Sequence, residues 1–204
     1  MTVWGGGAGF WQVDYPMTSF TFWTLMQMYT PIAVMTTSRR TNDTVWLLEI
    51  GSTNLPQSGW SVGLDWNNGR PPYIGGSPID FALPNMNQAP RAGNPPDATR
   101  NQGVALQVPA AVNALQVTIV NALGAAIPAA NLTPMQAAAV QGTAPDNYVS
   151  AYAGYHAVWY QAWRGNPLCK AGWHTHVGFN IALATATSAI RIQLDQLITW
   201  LNAN

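Results

Sequence analysis

The chain has 204 residues, enough for one domain that buries its own core without disulfides or metals. Charged side chains make up 8%, against roughly 25% in an average domain, and eight basic residues balance eight acidic ones. That balance argues against a nucleic-acid binder driven by phosphate neutralisation and against a polybasic membrane anchor, while ten Trp, seven Tyr and five Phe exclude a disordered chain.

Residues 1–14 read as an aromatic, glycine-rich arm, and residues 15–204 as a single α+β domain. The arm has neither a basic n-region nor an apolar h-region, so no secretory signal is expected. Its three consecutive glycines lack the spacing of a phosphate loop. Residues 15–30 fit a helix, with Pro16 in the first turn and Pro31 as the stop. The uncharged run 15–38 is rich in Ser and Thr and carries two prolines, so no transmembrane segment is expected.

A small antiparallel sheet is predicted in the N-terminal half, over residues 44–83. Residues 44–51 are rich in β-formers, and Trp60, Val62, Leu64 and Trp66 alternate at period two. Asn67, Asn68 and Gly69 supply a turn. Residues 84–100 form an exposed Pro/Asn-rich loop. The C-terminal half reads as helical. One helix runs from Pro109 to Gly124 along Val112, Leu115, Ile119 and Leu123. A short helix is expected from Thr133-Pro134 to Gly142. A longer one, from Asp146 to Arg164, carries the stripe Tyr148, Tyr152, Tyr155, Trp159 and Trp163. The last spans about residues 187–202. Its stripe of Ile190, Leu194, Leu197, Ile198 and Leu201 is expected to pack on the helix bearing Tyr152 and Trp159.

Candidate chemistry is sparse. All three histidines and the only cysteine fall in one window, as His156, Cys169, His174 and His176. If residues 169–178 form a strand, His174 and His176 share a face; otherwise they belong to a loop between helices. Imidazole and thiolate suit zinc or copper, but the paired spacings of structural zinc sites are missing, so the expectation is no cofactor. Cys169 beside Lys170 is a conceivable thiol nucleophile without a known local signature. Glu49, the sole glutamate, and Asp65 are read as solvent-facing acids on separate strands rather than as a glycosidase pair.

The stretch from Trp46 to Gly76 and the helical Gln161-Ala162-Trp163-Arg164 together resemble ribosome-inactivating rRNA N-glycosylases. The resemblance implies a base-stacking role for Tyr73 and a catalytic helix bearing Gln161 and Arg164. In this chain Gln161 stands where that family has its catalytic glutamate.

The main functional expectation is a non-enzymatic association protein. A surface solubilised by neutral polar groups lacks long-range repulsion and favours self-assembly or surface binding. Trp4, Phe10 and Trp11 of the arm, with Asn67 and Asn68, are the candidate interface residues. The partners expected are further copies of the chain in a homo-oligomer, or a glycan, with an extracellular or particle-surface location. A lectin-like carbohydrate binder and the toxin-like N-glycosylase fold are the alternatives.

Overall fold

The structure is a computed structural model that describes residues 22, 25–26, 28–39, 42–53, 105–137 and 149–204. The expected arm, the strands at 60–66 and 72–83, and the loop at 84–100 lie outside the described residues. So do Trp4, Phe10, Trp11, Asn67, Asn68 and Tyr73.

The α+β class holds: a small sheet is packed between helices. Six strands are present among the described residues, namely β1 (Ala33–Arg39), β2 (Val45–Glu49), β3 (Gly51–Thr53), β4 (Ala105–Gln107), β5 (Thr133–Ala137) and β6 (Ala171–Val177). The described residues also include the helices α1 (Ala110–Ala126), α2 (Val149–Arg164) and α3 (Leu183–Ala203). Four strands form one sheet in the order β1-β6-β2-β5, while β3 and β4 pair separately. The four-stranded sheet is mixed. β1 runs parallel to β6 and β2 parallel to β5, and β2 meets β6 antiparallel.

Three departures from the sequence reading have physical causes. Residues 133–137, expected to open a short helix, form β5. Pairing with β2 overrides the local helix-start signal, and β5 is an edge strand, where proline is tolerated. The segment 171–177 is a strand rather than a loop, and six of its seven residues are buried. A segment covered on both faces shows no alternation of apolar and polar residues, so its periodicity is hard to read.

Helix α3 also buries a face rotated from the one expected, sharing with it Leu197 in the core and Ile190 and Leu201 partly buried against it. Ala189, Gln193 and Leu197 are buried, while Ile198 is exposed. The helix packs beside α1, not on α2.

Side chains alternate across β6, and the helices take opposite faces of the sheet. Trp173 joins Trp46, Leu48, Leu115, Ile119, Leu123 and Leu197 in the larger apolar core, on the side of α1 and α3. On that side Gln193 of α3 accepts from Trp46 Nε1 at 2.8 Å and donates to Thr175 Oγ1 at 3.1 Å, with Met35 sulfur also against its amide nitrogen. Helix α2 covers the other face. Its Tyr155, Ala157, Trp159 and Tyr160 pack with Phe22, Val34 and Cys169. α2 stops at Gly165 (φ 66°), as the Gly-Asn-Pro sequence leads one to expect.

Candidate active site

Three neighbouring strands place polar side chains on the face covered by α2. Parallel register sets Thr36 opposite His174 and Ser38 opposite His176. On the other flank of β6, β2 ends at Glu49. The side chains form one continuous chain of contacts. Thr36 Oγ1 lies 2.8 Å from His174 Nδ1, and His174 Nε2 lies 2.8 Å from Ser38 Oγ. Ser38 Oγ then lies 3.1 Å from His176 Nδ1, and His176 Nε2 lies 2.7 Å from Glu49 Oε1. The two imidazoles meet edge to face with centroids 4.6 Å apart.

Both histidines and Glu49 are buried, while Ser38 is only partly so. Burial holds the His174 pKa well below the ordinary histidine value, with neighbouring His176 adding to the depression. His174 is therefore a neutral ring.

Glycine is required where α2 crosses this cluster. A Cβ on Gly154 would come within 2.9 Å of His174 Cβ and 3.3 Å of Glu49 Oε2. Glu49 Oε2 is buried and has no hydrogen-bond partner among the described residues. The helix thus seals one side of the carboxyl group.

An open depression of about 410 Å³ adjoins Ser38, lined by Thr37, Ser38, Arg39, Val177, Gly178 and Phe179. It sits at the carboxyl ends of the parallel strands β1 and β6, the end of an α/β sheet where ligands usually bind. The Arg39 guanidinium lies 3.4 Å over the centre of the exposed Phe179 ring.

The residues singled out from sequence are only partly brought together. His174 and His176 share a face, as a strand requires. All four of their ring nitrogens are engaged by Thr36, Ser38 and Glu49, which leaves no lone pair directed at a metal. His156 lies elsewhere on α2, against Phe22 at 5.3 Å between ring centroids. Cys169 is buried, with its sulfur 3.5 Å from the Ala171 carbonyl oxygen. Burial pushes its thiol pKa up to about 12, the opposite of what a thiolate nucleophile needs. Among the described residues, no group of three or more His, Cys, Asp or Glu could hold a metal ion.

Gln161 is buried where α2 packs on Gly172, and Arg164 is in the last turn of that helix. Neither takes part in the contacts of the His174–His176 chain. Glu49, read as solvent-facing, is 3% exposed and is the acid of this cluster. Ser38 and Thr36 were missed altogether. The available signal was the Thr-x-Ser spacing of 36–38 matched by the His-x-His spacing of 174–176. It has meaning only once the two segments are paired.

No protein-family model and no curated protein matches the chain. Solved structures do. Pyrrolidone carboxyl peptidase from Thermococcus litoralis superposes with a TM-score of 0.58 at 13% identity, covering 94% of this chain and 76% of that one. For the Pyrococcus furiosus enzyme the values are 0.56, 11%, 93% and 79%. For pyroglutamyl peptidase I of Bacillus amyloliquefaciens they are 0.55, 12%, 90% and 74%. At these identities the likeness establishes the fold.

That fold is one carried by enzymes, and it corrects the expectation of a non-enzymatic self-assembling or surface-binding protein. The lectin-like and toxin-like alternatives fall with it. The extracellular or particle-surface location rested on the same association reading and is corrected too. Among the described residues no helix is long and apolar enough to cross a membrane.

Proposed function

We propose that the protein hydrolyses amide bonds, with Ser38 as nucleophile, His176 as its general base and Glu49 as the group that holds the imidazole. The observation that carries this reading is the run of contacts from Ser38 Oγ through His176 to Glu49 Oε1, at 3.1 and 2.7 Å. It has the logic of a serine–histidine–carboxylate triad, with the two ring nitrogens exchanging their usual partners. Two further observations support it. Ser38 opens onto the depression at the strand ends, and solved proteins that share the fold include peptidases.

In the reaction, the Ser38 hydroxyl adds to the amide carbonyl while its proton passes to His176 Nδ1. Glu49 stabilises the imidazolium that results. His176 then delivers the proton to the leaving nitrogen, and an acyl ester on Ser38 remains. Water, deprotonated by the same ring, hydrolyses that ester and restores the serine. Removing the base or the nucleophile of such a unit should cost on the order of 10⁶-fold in rate.

Pyroglutamyl amides are the first substrates to try, since the named activity of the fold relatives is on that group. The test is turnover of fluorogenic pyroglutamyl and aminoacyl amides by wild type, Ser38→Ala and His176→Ala. The expected result is turnover by wild type and a fall on the order of 10⁶-fold, in effect loss of activity, for both variants, with circular dichroism unchanged. Full activity in Ser38→Ala would remove the serine from its role. Absence of turnover across the whole amide panel would overturn the hydrolase reading.

A further inference from the structure

We infer that the depression beside Ser38 recognises a carboxylate, with Arg39 selecting substrates that carry one next to the scissile amide, an inference that rests on the hydrolase reading of the same site. The geometry that carries it is a guanidinium and the proposed nucleophile on consecutive residues, both lining one open depression of about 410 Å³. Side chains of consecutive strand residues leave opposite faces of a sheet. Arg39 is the last residue of β1, so it is around the end of the strand that its side chain and that of Ser38 border the same space.

The guanidinium is held in place but not neutralised. It lies 3.4 Å over the centre of the Phe179 ring, and stacking on an aromatic face restrains a side chain that is otherwise long and mobile. It donates to Asn42 Oδ1 at 3.5 Å, a long contact that occupies one of its five N–H donors. The other residues lining the depression are Thr37, Ser38, Val177, Gly178 and Phe179, and none of these is acidic. Asp43, the acid closest in sequence, turns its Oδ1 to the Val45 N–H at 3.1 Å. Among the described residues no carboxylate forms an ion pair with Arg39. A chain with only eight basic side chains thus places one of them, stacked and without an acidic partner among the described residues, directly after its nucleophile.

The ligand chemistry follows from the shape of the donor group. A guanidinium presents a planar fork of donors that matches the two oxygens of a carboxylate. Consecutive Cα atoms lie about 3.8 Å apart, so an anion held by Arg39 belongs to a residue flanking the bond that Ser38 attacks. It is either the free terminus of the amino acid released or an acid on the acyl side. Phe179, 56% exposed, adds an apolar surface beside the cation and suits an aromatic or aliphatic side chain on the same substrate.

Two matched substrate pairs test the preference. Pyroglutamyl-phenylalanine and pyroglutamyl-phenylalaninamide differ by a carboxylate on the leaving side. Glutamyl and glutaminyl aminocoumarin amides differ by one on the acyl side. Wild type should favour the carboxylate member of one pair about ten- to hundredfold in kcat/KM, the effect of hydrogen bonds to a charged group, and the pair that responds identifies the side. Arg39→Gln should abolish that preference, and a ratio within a pair is insensitive to any general loss of activity. Arg39→Lys should keep part of it, because the charge survives and the fork does not. Equal turnover within both pairs overturns the inference and leaves the hydrolase reading intact, as does a preference that persists in Arg39→Gln. Binding separates the two readings where no amide is hydrolysed. Calorimetric titration with acetylphenylalanine and acetylphenylalaninamide should then show tighter binding of the acid by wild type and no such difference in Arg39→Gln. That result ends the hydrolase reading alone, whereas equal binding of acid and amide by wild type ends the carboxylate site.

Discussion

The two faces of β6 are equally hidden from water and do opposite things. Trp173 and His174 are neighbours on one strand, and each is fully buried. Trp173 points to α1 and α3 and fills the larger core, its indole nitrogen donating to Thr175 at 3.2 Å. His174 points to α2 and enters a chain of polar contacts in which each ring nitrogen has a partner. Burial therefore does not distinguish a packing residue from a site residue in this protein. The distinction is how the buried polar atoms are satisfied. On the α1/α3 face they close on themselves through Gln193, whereas on the α2 face they run outward to a half-buried serine beside an open depression.

The comparison is broken most forcefully from the apolar side. Trp173→Ala should cost about 3–5 kcal/mol, the usual loss when a large buried aromatic leaves a cavity. Urea unfolding measures it. Ser38→Ala, on the opposite face, should leave the urea midpoint nearly unchanged while removing activity. A Trp173→Ala protein as stable as wild type would mean that the face of α1 and α3 is not the principal core.

An intermediate effect comes from pH. The His174 pKa is depressed in the folded chain and lies near 6.5 in the unfolded chain. Below about pH 6.5 the unfolded chain binds a proton that the folded chain refuses, so this residue's contribution makes stability fall as pH drops through that value. Above it both states are neutral and the contribution is flat. Urea midpoints measured against pH should therefore show a steeper acid decline in wild type than in His174→Asn. Equal slopes in the two proteins would show that His174 is not held neutral by burial.

The smallest effect sharpens the comparison within the α2 face itself. Cys169 lies on that side but belongs to its apolar part, with Tyr155, Trp159 and Tyr160. With a pKa near 12 it should resist iodoacetamide in native protein and react fully once unfolded. Labelling is read by mass spectrometry. Rapid native alkylation would place a reactive thiol beside the relay and reopen the assignment of the nucleophile.

Several features of the molecule were legible from residue order alone. Local periodicity located the helices at 110–126 and 183–203 to within a few residues, because an amphipathic repeat repeats every turn regardless of what packs on it. It also marked residues 44–51 as extended, of which 45–49 form β2, and grouped His174 with His176 should 169–178 be a strand, of which 171–177 form β6. The low charge, the single cysteine and the α+β class needed only counting and patterning.

The candidate site was out of reach of such reasoning. Thr36 and Ser38 are separated from His174 and His176 by well over a hundred residues, and Glu49 lies on a third strand. Nothing local distinguishes a solvent-facing glutamate at the end of a strand from one sealed against Gly154. Strand order and register make that difference, since the side-chain period of two lets one residue of slip exchange the two faces. The parallel pairing of β1 with β6, and the position of β6 between β1 and β2, bring three scattered polar pieces onto one face. The tertiary structure alone could decide this, because long-range pairing, and not the preference of any segment, sets which groups share a low-dielectric interior and must satisfy one another there.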